Sequence, residues 1–318
     1  MTSYILRRLS ETVFLLLALS FLIYGLIGLM PGDPIDMMLS ANPDMTTADA
    51  QRLKGLYGLD QPLWHRYAHW LRQVVQGDFG YSRLYSQPTL DVLQPRIGNT
   101  LWLLGASFVL ALLIAVPAGV AAARRPGGML DGTINLVAFA GFSIPSFWLG
   151  LLLIIVFSVH LGWLPAGGIH GLDDTGLLDR LRYMVLPVLT LTALSAGTFL
   201  RFVRAAMIDA LQEDHVRTAR AKGCSERRGV WIHAMGNAMI PIVTVTTLQL
   251  GSLFSGALVV ETMFSYHGMG KLIYDAILGN DFNLALAALM LAATMTLLAN
   301  LLADLAYAWL DPRVDYGS

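Results

Sequence analysis

Residues 99–122 read NTLWLLGASFVLALLIAVPAGVAA, an apolar run that is closed by Arg124 and Arg125. A helix crosses the hydrocarbon core of a bilayer with roughly 20 mostly apolar residues, so this stretch is long enough for one membrane span. It also lacks the alternation of apolar and polar residues that the wall of a membrane β-barrel requires. The stretch therefore predicts an all-α membrane protein.

The rest of the chain repeats this pattern. Of its 318 residues, 55% are hydrophobic and only 14% are charged, whereas about a quarter of the residues of a soluble domain are charged. The composition thus indicates a membrane protein and excludes an ordinary soluble domain. We predict six transmembrane helices, at about 9–30, 99–122, 133–161, 184–204, 238–260 and 283–310.

The positions of arginine and lysine near the span ends predict the orientation of the chain. The long segment 31–98 exceeds the length over which this rule applies and is left out. Of the remaining cations, twelve lie on one side and three on the other, so both termini are expected in the cytoplasm. The larger set is Arg7, Arg8, Arg124, Arg125, Arg201, Arg204, Arg217, Arg220, Lys222, Arg227, Arg228 and Arg313, and the smaller set is Arg180, Arg182 and Lys271.

Residues 31–98, between the first two spans, are predicted to form an extracytoplasmic helical segment. Thr46-x-x-Asp49 has the form of a capping box, and a second helix is expected to begin near Pro62. Apolar and aromatic residues recur three or four positions apart on this second helix. They suit either the membrane interface or packing on the outer ends of the spans, and they are Leu63, Tyr67, Trp70, Leu71 and Val74.

Ionisable side chains are rare inside the predicted spans, where a charge near the bilayer centre costs roughly 3 kcal/mol. Glu261 and Asp304 stand towards the ends of their spans, which favours a structural or interfacial role over a proton relay. The fifth span also carries a stripe of small and hydroxylated residues. Such a stripe allows close helix packing or lines a wet passage, and its members are Thr244, Thr247, Gly251 and Ser255.

The connection between the fourth and fifth spans is rich in cations and reads VRTARAKGCSERRGVWIHAMGNAMIP over residues 216–241. It is long enough for two short helices outside the bilayer. Gly223 is the expected break, because glycine turns a helix end without steric penalty, and Ser225 is the expected N-cap of the second helix. The charge by itself favours a merely solvated, positive-inside loop.

The order of residues in this loop resembles the EAA loop of the inner permease subunits of binding-protein-dependent ABC importers. The general signature is E-A-A, three residues and then G, and only Ala219 and Gly223 match it literally. The branch that carries dipeptides, oligopeptides, nickel and glutathione typically shows R-T-A-R-A-K-G, then S-E-R-R, a histidine and R-N-A-L-I-P. Residues 217–223 and 225–228 match that pattern, while Gly236 stands where arginine is usual.

Other stretches resemble the same branch in the same order along nearly the whole chain. The resemblance implies one permease domain over residues 1–318, with core helices two to six in 99–310, in the inner membrane of a bacterial cell. The matching stretches are Arg7-Arg8, Pro31-Gly32-Asp33-Pro34, Gly58-Leu59-Asp60-Gln61-Pro62-Leu63, Gly77-Asp78-Phe79-Gly80, Pro145-Ser146-Phe147-Trp148, Val260-Glu261-Thr262, Gly268-Met269-Gly270 and Leu310-Asp311-Pro312-Arg313.

The resemblance also implies how the loop works. In such importers it forms a coupling helix that sits in a cleft of an ATP-binding subunit, and closure of two such subunits around ATP moves the membrane helices. The implied partners are a second homologous permease subunit, two ATP-binding subunits, an extracytoplasmic solute-binding protein and the lipid bilayer. The residues implied in coupling are Arg217, Thr218, Ala219, Arg220, Ala221, Lys222, Gly223, Ser225, Glu226, Arg227 and Arg228.

This chain is not expected to be the ATPase itself, because it lacks the phosphate-binding pattern G-x-x-x-x-G-K-S/T. ATP and Mg are expected on the partner subunits, and no cofactor, metal or nucleic acid is expected on this chain. Cys224 is the single cysteine, which excludes an internal disulfide.

Two other function classes compete with the importer. An ion-coupled carrier needs buried charges at mid-membrane and paired broken helices, and a membrane enzyme needs a cluster of catalytic groups. Glu261 and Asp304 do not meet the requirement for a carrier. No catalytic cluster is predicted either, since His160, His170 and His267 are scattered near the outer face. The expected cargo is a dipeptide or oligopeptide, with nickel, glutathione or another small solute as the alternatives.

Overall fold

The computed structural model describes residues 2–29, 46, 52, 61–171 and 176–310. Among these residues, five helices are long and apolar enough to cross a membrane. They confirm five of the predicted spans and extend past several of them. These helices are α1 (Thr2–Ile27), α3 (Thr89–Ala123), α6 (Leu177–Gln212), α9 (Met235–Met263) and α11 (Phe282–Leu310).

The third predicted span, 133–161, is not one continuous helix. It consists of α4 (Met129–Ser143) and α5 (Ser146–Leu153), which continues as a π-helical stretch, Ile154–His160. The two arms meet at 97° and make up the sixth span when they are counted together. Pro145 explains the break, because the residue before a proline is driven out of the helical region, and Ile144 is extended with ψ 126°.

The predicted second helix of the segment before the second span is α2 (Leu63–Val75), which follows Pro62. Its aromatic face packs on α1. The Tyr67 ring meets the Phe21 ring edge-on with centroids 5.2 Å apart, and its hydroxyl lies 2.6 Å from the Ser20 hydroxyl. Packing on a neighbouring helix therefore accounts for Tyr67, while Trp64 stays exposed. The predicted capping box at 46–49 and the stretches 31–34 and 311–313 lie outside the described residues or extend into undescribed ones.

A two-stranded hairpin, β1 (Tyr81–Ser82) and β2 (Gln87–Pro88), leads directly into α3. It is held against the start of α11 by the buried carboxylate of Asp281. That carboxylate accepts hydrogen bonds from the Ser82 hydroxyl at 2.6 Å and from the Leu84 amide at 2.9 Å. The hairpin is thus fixed to the helix bundle rather than projecting freely from it.

Close packing of α3 on α6 forms the centre of the bundle. At Gly119 the two helices approach so closely that an added Cβ would lie 2.7 Å from Val203 Cγ1. Glycine permits this distance because it has no side chain. One end of the bundle carries the connection from α6 to α9, which contains Gly223. The opposite end carries Glu261, near the end of α9.

The loop after α6 differs from the prediction in one respect. Its first helix, α7 (Asp214–Ala221), is separate, as expected. Its second is not: α8 (Glu226–Arg228) runs through a π-helical stretch, Gly229–Ala234, directly into α9. The backbone shows the difference, since Gly229 is helical at φ −58° and ψ −42°, whereas Gly223 has φ 84°. A break therefore forms at Gly223 and not again before the fifth span.

Candidate functional site

Gly223 ends α7 in a turn that its left-handed backbone makes possible. Its amide donates to the Arg220 carbonyl at 3.0 Å, and the Cys224 amide donates to the Ala219 carbonyl at 3.1 Å. This pair of bonds is the Schellman arrangement, which satisfies carbonyls left open at a helix end and needs a residue with positive φ. The sequence-based expectation of a turn at Gly223 is confirmed.

Helix α7 buries one side chain in the bundle. Val216 is completely buried, in a cluster that joins the ends of α3 and α6 to the beginning of α9. The remaining residues that the sequence singled out lie on the outside. Ala219 is half-buried, and the exposed ones are Arg217, Thr218, Arg220, Ala221, Lys222, Gly223, Ser225, Glu226, Arg227 and Arg228.

The exposed surface of this segment is basic but not uniformly so. Arg217 pairs with Asp214 at 3.7 Å, and both side chains are largely exposed. Glu226 instead reaches across to Arg124, at the end of α3, with Arg124 Nη2 donating to Glu226 Oε1 at 2.7 Å. Residues 214–228 therefore form a small helix and turn whose cations are exposed. We call these residues the basic hairpin.

One expectation at the basic hairpin was wrong in detail. Ser225 does occupy the N-cap position of α8, with extended backbone, but its hydroxyl makes no capping hydrogen bond within the described part of the chain. Its carbonyl accepts from the Gly229 amide at 2.9 Å instead.

The stripe on α9 is described only in part. The Thr244 hydroxyl donates to the Ile240 carbonyl at 2.9 Å and the Thr247 hydroxyl donates to the Val243 carbonyl, so both bond within their own helix. For Gly251 and Ser255 only the helical backbone is described. These bonds fit both close packing and a wet passage, since Ser and Thr hydroxyls often turn back onto the preceding helical turn.

Glu261 is fully buried and ties three elements together. Its carboxylate accepts hydrogen bonds from the Thr100 hydroxyl of α3 at 2.6 Å and from the Gly270 and Lys271 amides at 2.6 and 3.2 Å. Those amides open α10 (Met269–Leu278), where a helix leaves its N–H groups without partners. The Thr100 oxygen in turn accepts from the Met269 amide at 2.8 Å. The structural role favoured for Glu261 fits this geometry.

Two glycines make room for this carboxylate. A Cβ on Gly268 would lie 2.2 Å from Glu261 Oε1, and one on Gly270 would lie 2.4 Å from the Leu258 Cα. The sequence analysis identified the two stretches that form this arrangement, Val260-Glu261-Thr262 and Gly268-Met269-Gly270. It did not predict their contact with Thr100. We call Thr100, Glu261, Gly268 and Gly270 the Glu261 cluster.

Tyr266 and His267 lie beside the Glu261 cluster. The Tyr266 hydroxyl donates to the Asn99 carbonyl at 3.2 Å, and Asn99 Nδ2 donates to the His267 carbonyl at 2.8 Å. Burial, together with the nearby Glu261, raises the pKa of Tyr266 to about 12. Burial, together with the Arg96 and Lys271 cations, lowers the pKa of His267. Both side chains are therefore uncharged at neutral pH.

Sequence reasoning missed an ion pair at the other end of the bundle. Arg204 of α6 donates from Nε and Nη2 to the two carboxylate oxygens of Asp131, at 2.6 and 2.8 Å. Asn135 and the Gly127 amide also donate to this carboxylate. Arg204 was counted among the cations of the connections when the orientation was predicted. In the structure it lies within α6 and connects that helix to α4. No signal in the sequence pairs these two positions.

Asp304 has a comparable partner, because Arg8 of α1 lies 3.3 Å from it. That contact supports the interfacial role favoured for Asp304. Nowhere among the described residues do three or more His, Cys, Asp or Glu side chains come together as a metal site would need.

Comparison with known proteins places this geometry in context. Residues 115–316 match the family described as binding-protein-dependent transport system inner membrane component, and residues 1–101 match the N-terminal family of such membrane components. The oligopeptide transport system permease protein AppB of Bacillus subtilis is 37% identical over 99% of this chain and 100% of its own length. The glutathione transport system permease protein GsiC of Escherichia coli K12 is 38% identical, with the same coverage.

Among solved structures, the inward-facing MetNI methionine ABC transporter is similar in fold. The TM-score is 0.57 at 20% sequence identity, over 69% of this chain and 96% of that one.

Proposed function

Because this chain belongs to the family of binding-protein-dependent transport system inner membrane components, it is the membrane permease subunit of an ABC importer, and we propose that its cargo is a short peptide. The full-length similarity to an oligopeptide permease carries this proposal. Glutathione, itself a small peptide, is the second candidate, because the similarity to a glutathione permease is equally extensive.

The transport complex that we propose has further members. A second homologous permease completes the membrane passage with this chain, two ATP-binding subunits hold ATP and Mg, and a solute-binding protein delivers the cargo from outside. The basic hairpin faces the cytoplasm, together with both termini. Twelve cations against three support this orientation, since positive residues are retained on the cytoplasmic side. On the fifth span, Thr244, Thr247, Gly251 and Ser255 are the candidate lining of the passage.

The basic hairpin is the proposed contact with an ATP-binding subunit. Support comes from the burial of Val216 beneath α7, because a helix fixed by its inner face can transmit a push to the bundle. Support also comes from the exposed guanidinium groups, which can form charge-assisted hydrogen bonds with acidic groups of a partner. Closure of the ATP-binding subunits would then move α6 and α9, which flank the hairpin, as rigid bodies.

Cargo is tested by deleting the gene for this chain and measuring uptake of labelled alanyl-phenylalanine, glutathione and nickel by intact cells. We expect dipeptide uptake to be lost and to return when the gene is restored on a plasmid. Loss of glutathione uptake alone would support the second candidate, and loss of nickel uptake alone would contradict both.

Replacing Arg217 and Arg220 together with glutamate is expected to stop uptake while the subunit still inserts. Reversal of two charges opposes an acidic partner, and each desolvated charge contact is worth about 2 kcal/mol or more at an interface. Both side chains are exposed, so the fold is expected to persist. The measurement is uptake by intact cells, divided by the amount of the subunit in membranes isolated from the same cells. Exposed Arg72 on α2, which lies at the other side of the membrane in our proposal, provides a control: its replacement by glutamate should leave uptake unchanged.

A further inference from the structure

Arg124 and Glu226 join two parts of the chain that are 102 residues apart. Arg124 immediately follows α3, and Glu226 opens α8, three residues after the turn at Gly223. Their bond, at 2.7 Å, is therefore a direct link between the basic hairpin and the second span.

This link contributes little to stability. The exposed fractions of the two side chains are 48% and 66%, and exposed ion pairs are worth about 0–1 kcal/mol because water and salt screen them. What the pair does provide is direction. The burial of Val216 in the cluster that includes the same end of α3 is non-directional, whereas a charge-assisted hydrogen bond holds two atoms at a defined distance.

The two helices that meet here also meet at the opposite end of the bundle. From Arg124, α3 runs back to Thr100, and from Glu226 the helical chain runs through α9 to Glu261. Thr100 and Glu261 are hydrogen-bonded at 2.6 Å in a fully buried position. The pair α3 and α9 is thus tied at both ends, by an exposed ion pair on the basic hairpin and by the Glu261 cluster at the far end.

We propose that the Arg124–Glu226 ion pair makes the second span move with the basic hairpin, so that both are positioning residues for ATP-driven transport. This inference depends on the proposed function, because it needs the basic hairpin to be moved by ATP-binding subunits. Displacement of Glu226 then pulls the end of α3 along with the beginning of α9. Without the pair, only the apolar contacts around Val216 connect the basic hairpin to α3, so α3 follows the hairpin less closely and the Glu261 cluster resists the displacement of α9.

The test uses the complete importer reconstituted in proteoliposomes, with the variants Arg124→Glu, Glu226→Arg and the charge-exchanged double variant. Uptake of labelled alanyl-phenylalanine is measured together with ATP hydrolysis. Each single variant is expected to lower the cargo imported per ATP at least about fivefold, the lower end of typical coupling effects. The double variant restores most of it, because the pair is re-formed with reversed polarity. Thermal unfolding is expected to be unchanged in all three.

Arg125→Glu is the matched control, because it makes the same change of charge one residue away. Arg125 acts on Glu226 only through its charge, without the hydrogen bond that Arg124 donates, so Arg125→Glu should import cargo at nearly the wild-type ratio. Normal coupling in both single variants, an equal defect in Arg125→Glu, or a double variant that is not rescued would each overturn this inference. Wild-type uptake that proceeds without ATP would instead contradict the proposed function itself.

Discussion

Alanine in place of Gly270 is expected to leave little folded subunit in the membrane. The added Cβ would lie 2.4 Å from the Leu258 Cα and 3.0 Å from Glu261 Oε2. The first neighbour is backbone and cannot rotate away, so α10 must shift relative to α9. That shift breaks the bonds from the Gly270 and Lys271 amides to the buried carboxylate. Overpacking and one unsatisfied buried group together cost about 3 kcal/mol or more.

The amount of subunit in membranes and the thermal unfolding of the purified complex measure this effect. Gly236→Ala is the matched control, because it lies within α9 and its added Cβ would have no described atom within 4 Å apart from its chain neighbours and its own helix backbone. In a helix, alanine is favoured over glycine by about 1 kcal/mol, so the control should be at least as stable as the wild type. A Gly270→Ala subunit that accumulates and unfolds like the wild type would show that α9 and α10 are not packed as described.

Valine in place of Gly223 is expected to reduce uptake to about a tenth or less without lowering the amount of subunit. No described neighbour lies within 4 Å of the added Cβ, so the change creates no clash. The effect arises from the backbone alone. Gly223 has φ 84°, and a β-branched residue there costs about 1–3 kcal/mol, enough to shift the turn and move the cations of α7 away from the proposed ATP-binding subunit.

Asparagine at the same position separates this cause from a general loss of glycine. Asparagine adopts the left-handed region far more readily than valine, so Gly223→Asn should keep the Schellman turn and most of the uptake. Uptake per subunit, measured in the same membranes for both variants, decides between them. Equal activity of the two would mean that the turn at Gly223 does not matter for coupling.

Much of the architecture could be predicted from the sequence because it depends on local properties. A run of roughly 20 apolar residues must form its backbone hydrogen bonds within itself when it lies in lipid, and this accounts for α1, α3, α6, α9 and α11. The turn at Gly223 is equally local. The break at Pro145 was also visible in principle, since proline acts on the residue just before it, but the apolar character of 133–161 concealed it.

The end of the second helix of the basic hairpin could not be predicted from local sequence. Gly229 and Gly236 are compatible with either a turn or a helix, and only the backbone around them decides. Val230 and Ala234 pack in the same buried cluster as Val216. This packing holds the stretch helical, so α8 continues into α9. A count of cations was also unable to distinguish Arg204, which pairs with Asp131, from the cations that remain exposed on α7.

The sequence alone determined the membrane class, five of the six spans and the position of the basic hairpin, since each depends on residues that are close together in the chain. Tertiary structure alone decided which polar groups meet. Thr100 and Glu261 are 161 residues apart, and Arg124 and Glu226 are 102 apart. Their pairing depends on the distance at which α3 and α9 pack and on the rotation of each helix about its axis. Those quantities are set by side-chain contacts along whole helices, which no local pattern specifies.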